Sequence, residues 1–448
     1  MKTPIYDFVK EYSDRAVARF HMPGHKGKGP LGIEKLDITE IPGADTLYSA
    51  DGIIEESENY ASELFGTAHT FYSTEGASLV IKAMLAIAVS GRKRAKIIAS
   101  RGAHKSFVYA AALIDADIVW LFPENASHIC DTGVSASAFA KALDENPDAV
   151  AVYVTSPDYL GNISDIGGVA KECKKRGVKL LVDNAHGAYL NFLPTNIHPI
   201  SLGADMCCDS AHKTLPVLTG GAYLHVSKSA PQEYLESARY MLSVFASTSP
   251  SYLILESLDL CNKTLADGFR DSLLNTVNKV AALKLKLRMA GFSVAETEPL
   301  KIVINIAEYG YSGEELMLYL RERNIEIEFF DDEFIVLMPS PSNTDDDVAA
   351  LASALSALPQ RTPISVDKIA IPTSPEVKAS VRDAVFSIHE LVNCRDAVGR
   401  VCASPTVSCP PAVPIVVSGE VIKKEHIPIF EKYKVEKIEV VKNDRSRK

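Results

Sequence analysis

Between Thr70 and Val226 the chain alternates short runs of β-forming residues with stretches whose apolar residues recur at helical spacing. This alternation constrains the fold more than any other feature, because strands joined through helices are forced into βαβ crossovers. Such crossovers build an α/β domain with a mainly parallel, doubly wound sheet covered by helices. The β-rich runs are Thr70–Ser73, Lys96–Ser100, Asp117–Phe122, Ala149–Thr155, Lys179–Asp183, Asp205–Asp209 and Gly221–Val226, with helical spacing in Ala77–Val89 and Gly168–Arg176 between them. Ligands of such sheets bind at the carboxyl ends of the strands, so the residues that follow each run are the ones to inspect.

The pattern changes after a helical bridge near Ser251–Met289. Strand Lys301–Ala307, helix Gly313–Arg323, strands Ile325–Phe330 and Phe334–Met338 and helix Asp345–Leu358 form a smaller α+β unit. The Pro-rich stretch Pro359–Pro375 leads to a helix near Val377–Leu391 and a final segment containing Ser408–Glu420. At 448 residues the chain is too long for one core. The expected division is an N-terminal segment 1–60, a large domain 61–290, a small α+β domain 291–360 and a C-terminal domain 361–448.

With 47 Lys+Arg against 57 Asp+Glu the net charge is −10, which argues against a nucleic-acid partner and an anionic membrane surface. Met1–Phe20 has charges spread through it and no continuous apolar run, so a cytoplasmic location is expected. The eight cysteines include no C-x-x-C pair, so no metal site is expected and most of them read as small buried hydrophobes.

Four strand-end loops carry residues that chemistry uses. Ser210-Ala211-His212-Lys213-Thr214 follows the run Asp205–Asp209 and places a lysine among small and hydroxyl residues, where it is a potential nucleophile towards an aldehyde. Asp183 ends the apolar run Leu180–Val182. It reads either as a turn cap or as an acid that keeps a pyridinium nitrogen protonated. Gly76-Ala77-Ser78 opens a helix, and backbone N–H groups with a hydroxyl there form either a phosphate cradle or a plain cap. His104, after Lys96–Ser100, could lie flat on an aromatic ring or cap a helix. Together they would supply a phosphate site, a stacking ring, a pyridinium partner and an imine-forming lysine. No dinucleotide fingerprint or phosphate-loop motif competes for the same sheet.

The chain resembles the short bacterial form of the fold-type-I, pyridoxal-phosphate-dependent ornithine/lysine/arginine decarboxylases. The resemblance is carried by Phe20-His21-Met22-Pro23-Gly24-His25-Lys26-Gly27, Thr39-Glu40-Ile41-Pro42-Gly43, His104-Lys105-Ser106, Thr155-Ser156-Pro157, Asp183-x-Ala185-His186-Gly187, Ser210 to Pro216, Ser247 to Tyr252, and Cys409-Pro410-Pro411 through Gly419-Glu420. It implies decarboxylation of a basic amino acid (arginine, lysine or ornithine) to the amine, a step of polyamine biosynthesis, with pyridoxal 5'-phosphate bound as a Schiff base on Lys213. Asp183 would partner the pyridine nitrogen, His104 would stack on the ring, Ala185 and His186 would line its other side, and Lys213 or His212 would return the proton. Gly76, Ala77, Ser78, Ser210 and His212 would hold the phosphate and the cofactor. The resemblance also implies a homodimer with active sites at the interface, where Thr248 and Ser249 reach the neighbouring subunit's phosphate. Glu75 stands in place of the family's usual Asn, Ala77 of a frequent Thr, Asn184 of a common Glu, and Ser408 to Ala412 of Pro-Tyr-Pro-Pro-Gly. An aminotransferase, gripping the substrate carboxylate through Arg382, Arg395 or Arg400, and a non-catalytic regulatory relative are the alternatives. Asp45, Asp331, Asp332 and Glu420 are candidate partners for a cationic substrate end.

Overall fold

The β-branched, apolar runs fold as strands: β1 His69–Ser73, β2 Lys96–Ser100, β3 Asp117–Leu121, β4 Ala149–Thr155, β5 Lys179–Asp183, β6 Met206–Asp209 and β7 Ala222–Val226. Each lies within one or two residues of its sequence expectation. The computed structural model describes residues 1–123, 128–131, 133–366, 371–405 and 413–442. They divide into two compact units, one of Met1–Arg92, Leu143–Val154 and Asp165–Asp271, the other of Lys93–Ala142, Thr155–Ser164 and Ser272–Lys448.

In the first unit the strands lie in the order β1-β7-β6-β5-β4. β5 and β6 run parallel, with Asp183 opposite Cys208, whereas β7 is antiparallel to both of its neighbours. The sequence reading of a mainly parallel sheet therefore carries one reversal, made where the chain turns back after Lys213. Gly220 makes that turn at φ +102°, and a Cβ there would stand 2.8 Å from the Thr74 carbonyl oxygen. Only glycine fits both demands. Helix Gly76–Val89 is apolar on nearly every face and buried accordingly, so it packs as a core helix.

The N-terminal segment is tied down by one carboxylate. Helix Pro4–Asp14 leaves its first N–H groups without intrahelical partners. Those of Ile5 and Tyr6 donate to Asp259 on helix Tyr252–Ala266, at 2.9 and 3.0 Å, and the Ser57 hydroxyl donates to the other oxygen at 2.6 Å.

In the second unit β2 and β3 pair in parallel. Four further strands, β8 Ser293–Val294, β9 Ile302–Asn305, β10 Phe329–Phe330 and β11 Phe334–Leu337, form an antiparallel sheet in the order β10-β11-β9-β8. Helices Gly313–Arg321 and Asp345–Ser356 contribute Leu316, Leu320, Leu351 and Leu355 to the core beside it. The expected helix over Val377–Leu391 is different: only Val381–Val385 is helical, and β12 His389–Asn393 pairs antiparallel with β13 Lys437–Val441. Among the described residues no helix is long and apolar enough to cross a membrane. All seven described cysteines are buried.

Candidate active site

Parallel pairing of β5 with β6 brings Asp183 and the Ser210–Lys213 turn to one edge of the first unit's sheet. The Asp183 side chain is buried, and three neutral donors meet its carboxylate. Tyr153 O–H donates to Oδ2 at 3.0 Å, and the Ala185 N–H and the Cys208 thiol donate to Oδ1 at 3.2 and 3.4 Å. Burial pushes the Tyr153 phenol and the Cys208 thiol well up, and the Asp183 charge adds to it, so both remain protonated donors. Tyr153 and Cys208 did not stand out in the sequence, although a tyrosine inside the apolar run Ala149–Thr155 needs a partner for its hydroxyl.

Lys213 occupies a one-turn helix, Ala211–Thr214, whose last turn is closed by Leu215 N–H to the Ala211 carbonyl. Its side chain is exposed, and its Nζ lies 3.1 Å from Nε2 of buried His186. His212 is directed elsewhere. Its Nδ1 is 2.9 Å from the Gly221 carbonyl oxygen, so Nδ1–H donates there, and burial lowers the imidazole's pKa. His212 is thus a neutral ring with its proton committed to the backbone.

The loop before helix Gly76–Val89 is fixed by Gly76 N–H donating to the Gly220 carbonyl at 2.7 Å and by Glu75 N–H donating to Ser73 Oγ at 3.2 Å. Ser78 is exposed on the first turn, and open space surrounds the position of a Cβ on Gly76. Glu75, which stands in place of the family's usual Asn, accepts the Ser247 N–H at 2.7 Å. That bond anchors the exposed loop carrying Thr248 and Ser249 to the start of the helix. These residues fit the cofactor: a helix N-terminus and a hydroxyl for the phosphate, a buried carboxylate for the pyridine nitrogen, and an amine for the aldehyde.

The structure brings Gly76 to Ser78, Asp183 to His186, Ser210 to Lys213 and the Thr248–Ser249 loop into the first unit. His104 belongs to the second unit, where its ring caps helix Lys105–Ile114 by accepting the Ser106 N–H at 3.1 Å. Cys409 and its neighbours from 406 to 412 lie outside the described residues. Of the acids considered for a cationic substrate end, three are already engaged. Asp45 accepts backbone N–H groups from Thr46, Asp51, Gly52 and Ile54, Asp331 pairs with His128, and Glu420 pairs with Arg101, while Asp332 is exposed. The three arginines considered for a carboxylate grip are engaged too. Arg382 donates to the Ala112 and Leu113 carbonyls, Arg395 to Glu431, and Arg400 to Glu390 and the Val441 carbonyl.

Comparison with known proteins supplies what geometry does not. Residues 3–303 match the family model of the Orn/Lys/Arg decarboxylase major domain, and residues 370–437 that of the Orn/Lys/Arg decarboxylase C-terminal domain. An arginine decarboxylase of Halalkalibacterium halodurans is 32% identical, with 95% of this chain and 92% of that protein covered. One of Bacillus subtilis is 29% identical over the same shares. Among solved structures, a lysine decarboxylase of Francisella novicida, LdcF, superposes with a TM-score of 0.81 at 16% identity, over 98% of this chain and 81% of that one.

Proposed function

The chain belongs to the Orn/Lys/Arg decarboxylase family and decarboxylates a basic amino acid, and we propose that it does so with pyridoxal 5'-phosphate held on Lys213. The observation that carries this reading is the strand-end pairing of buried Asp183 with the Lys213–His186 contact of 3.1 Å. When bound, the cofactor supplies an electron sink for the electron pair left behind as the substrate's carboxylate departs as carbon dioxide.

The remaining work falls to the protein. Asp183, oriented by Tyr153, Ala185 and Cys208, holds the proton on the pyridine nitrogen. Helix Gly76–Val89 and Ser78 hold the phosphate, with Ser210 at the edge of the site and Ala185 assigned to one ring face. Decarboxylation consumes one proton, which must be delivered to the substrate's α-carbon. Lys213 is placed to deliver it, and His186, within hydrogen-bond distance of Nζ, is placed to reload it. His212, with Nδ1–H bound to the Gly221 carbonyl, acts as a support for the turn.

Arginine is the first substrate to test among arginine, lysine and ornithine, because the two relatives of about 30% identity named above are arginine decarboxylases. The working form is a cytoplasmic homodimer in which the Thr248–Ser249 loop serves the neighbouring subunit's phosphate site. The test is direct. Purified protein reconstituted with pyridoxal 5'-phosphate should show a visible absorption band that Lys213→Ala abolishes, and should release carbon dioxide and amine from one of the three amino acids. Keto acid without carbon dioxide, or no cofactor uptake by the wild type, overturns the reading.

A further inference from the structure

Asn184 and Asp209 lie beside the site and take no part in the chemistry above. Asn184 directly follows Asp183, and Asp209 is the last residue of β6, directly before the Ser210–Lys213 turn. Both are completely buried. The Asn184 amide donates through Nδ2 to Asp209 Oδ1 at 2.7 Å, and its backbone N–H donates to the Cys208 carbonyl at 2.9 Å. The strand bearing the pyridine partner is thereby bolted to the strand bearing the lysine, at their carboxyl ends.

Two imidazoles and a thiol surround Asp209 besides Asn184. His198 and His225 approach its Oδ2 through Nε2 at 3.0 and 3.1 Å, and the Cys207 thiol lies 3.5 Å from Oδ1. His198 Nδ1 accepts the Ile200 N–H at 3.4 Å, which assigns its proton to Nε2, and His225 Nδ1 meets Thr70 Oγ1 at 2.9 Å. Burial alone would raise the Asp209 carboxyl, but the two imidazoles outweigh it and hold the group well below the usual carboxylate range. Burial lowers the His225 imidazole, against the pull of Asp209. An ionised carboxylate therefore sits directly before the lysine's turn.

The other face of Asn184 sets the next turn. Its Oδ1 is buried without a hydrogen-bond partner, and a Cβ on Gly187 would stand 1.9 Å from it. Gly187 N–H donates to the Asn184 carbonyl at 2.8 Å, closing the turn that carries Ala185 and His186. A glutamate at 184, the residue common in the family, would bring a second carboxylate against Asp209, so asparagine here is the complement of an aspartate on β6.

We propose that Asn184 and Asp209 are a positioning pair that sets Asp183 and His186 against Lys213, and that the single negative charge they share tunes the Lys213 amine. This deepens the assignment of Lys213 as the cofactor-bearing lysine. Because the pair needs one donor and one acceptor, its polarity is exchangeable. N184D sets two buried carboxyls within hydrogen-bond distance, where they share one proton and keep the pair at −1, D209N lowers it to zero, and the double variant N184D/D209N restores −1 with the amide on the other strand.

The experiment follows the Lys213 amine in the apoprotein, through the pH dependence of its acetylation by acetic anhydride read by mass spectrometry. Negative charge favours the ammonium form, so D209N should move the midpoint down by ~0.5 unit or more, N184D should move it less than that, and the double variant should return towards wild type. In the reconstituted enzyme, kcat should fall at least ~10-fold in each single variant with KM little changed, and recover in the double. A double variant no closer to wild type than the worse single overturns the proposal, and so does D209N if it loses thermal stability without moving the midpoint. Should N184D not fold, recovery of fold and midpoint in the double carries the same information. Since the apoprotein midpoint needs no cofactor, failure of the wild type to bind pyridoxal 5'-phosphate would strike the functional reading and leave this pair testable.

Discussion

The acids beside the candidate site and two acids of the second unit are held in different ways. In the first unit, the Asp183 carboxylate meets a phenol, a thiol and a backbone amide, and Asp209 meets a side-chain amide, a thiol and two imidazoles. In the second, Glu420 faces a guanidinium and Asp331 an imidazole. Arg101 donates to both oxygens of Glu420 at 2.8 Å, packed over Trp120 and Phe122, and His128 meets Asp331 at 2.6 Å between Phe334 and Tyr433. There His128 outweighs the burial that would raise the Asp331 carboxyl and holds it low. A matched pair closes its own field and serves the fold. Carboxylates held by dipoles keep a field that a bound cation can use, and that is the arrangement found beside Lys213.

The sharpest way to break this contrast is to neutralise one acid of each kind. Asp183→Asn keeps a carbonyl oxygen for Ala185 and Cys208, and the Tyr153 hydroxyl can turn to accept from the new amide, so the melting temperature should change little. Decarboxylation should nevertheless fall by about 10²–10⁴-fold, read as carbon dioxide release at saturating substrate. A large stability loss with modest loss of activity would show that Asp183 is a structural acid like those of the second unit.

Glu420→Ala makes the reciprocal test. It leaves a buried guanidinium without its carboxylate, at a cost of about 3–5 kcal/mol in urea unfolding, whereas replacing both members by Arg101→Met with Glu420→Leu should come closer to neutral. A cost below about 1 kcal/mol for Glu420→Ala would mean that the pair is not a matched structural element at all.

How far these features were legible depends on how local they are. The strand ends, Asp183 and Lys213 could be read because an apolar run that stops at a charged residue marks a sheet edge within five residues. Asp209, His198 and His225 meet across different elements, so no local spacing announces them, and Asn184 looked like a departure until its partner was known. β7 was found as a strand but its direction was not, because direction is set by the turn at Gly220 and by pairing with β1. The missed helix over Val377–Leu391 has the same cause: Phe386, Ile388 and Leu391 suit a helix face, yet they are exposed, and pairing with the distant β13 decides the segment.

A third kind of buried acid, with neither cation nor full set of donors, gives the smallest and most pH-specific effect. Glu256 sits one turn before Asp259 on helix Tyr252–Ala266, only 3% exposed, with Oε1 lacking a hydrogen-bond partner. Burial, with Asp37 and Asp259 adding to it, raises its carboxyl to about 8, and burial raises Asp259 to about 6 against the hydrogen bonds it accepts from Ser57, Tyr6 and Ile5. A carboxyl raised in the folded state contributes stability in full below its unfolded pKa, and that contribution is lost as pH rises through the folded value. For Glu256 the loss should amount to about 2 kcal/mol between pH 6 and 8. Glu256→Gln cannot ionise, so its melting temperature should fall less steeply than that of the wild type across this window, while the two should run in parallel below pH 5. Equal slopes for both proteins from pH 6 to 8 would place the Glu256 carboxylate among the acids whose charge the fold already compensates.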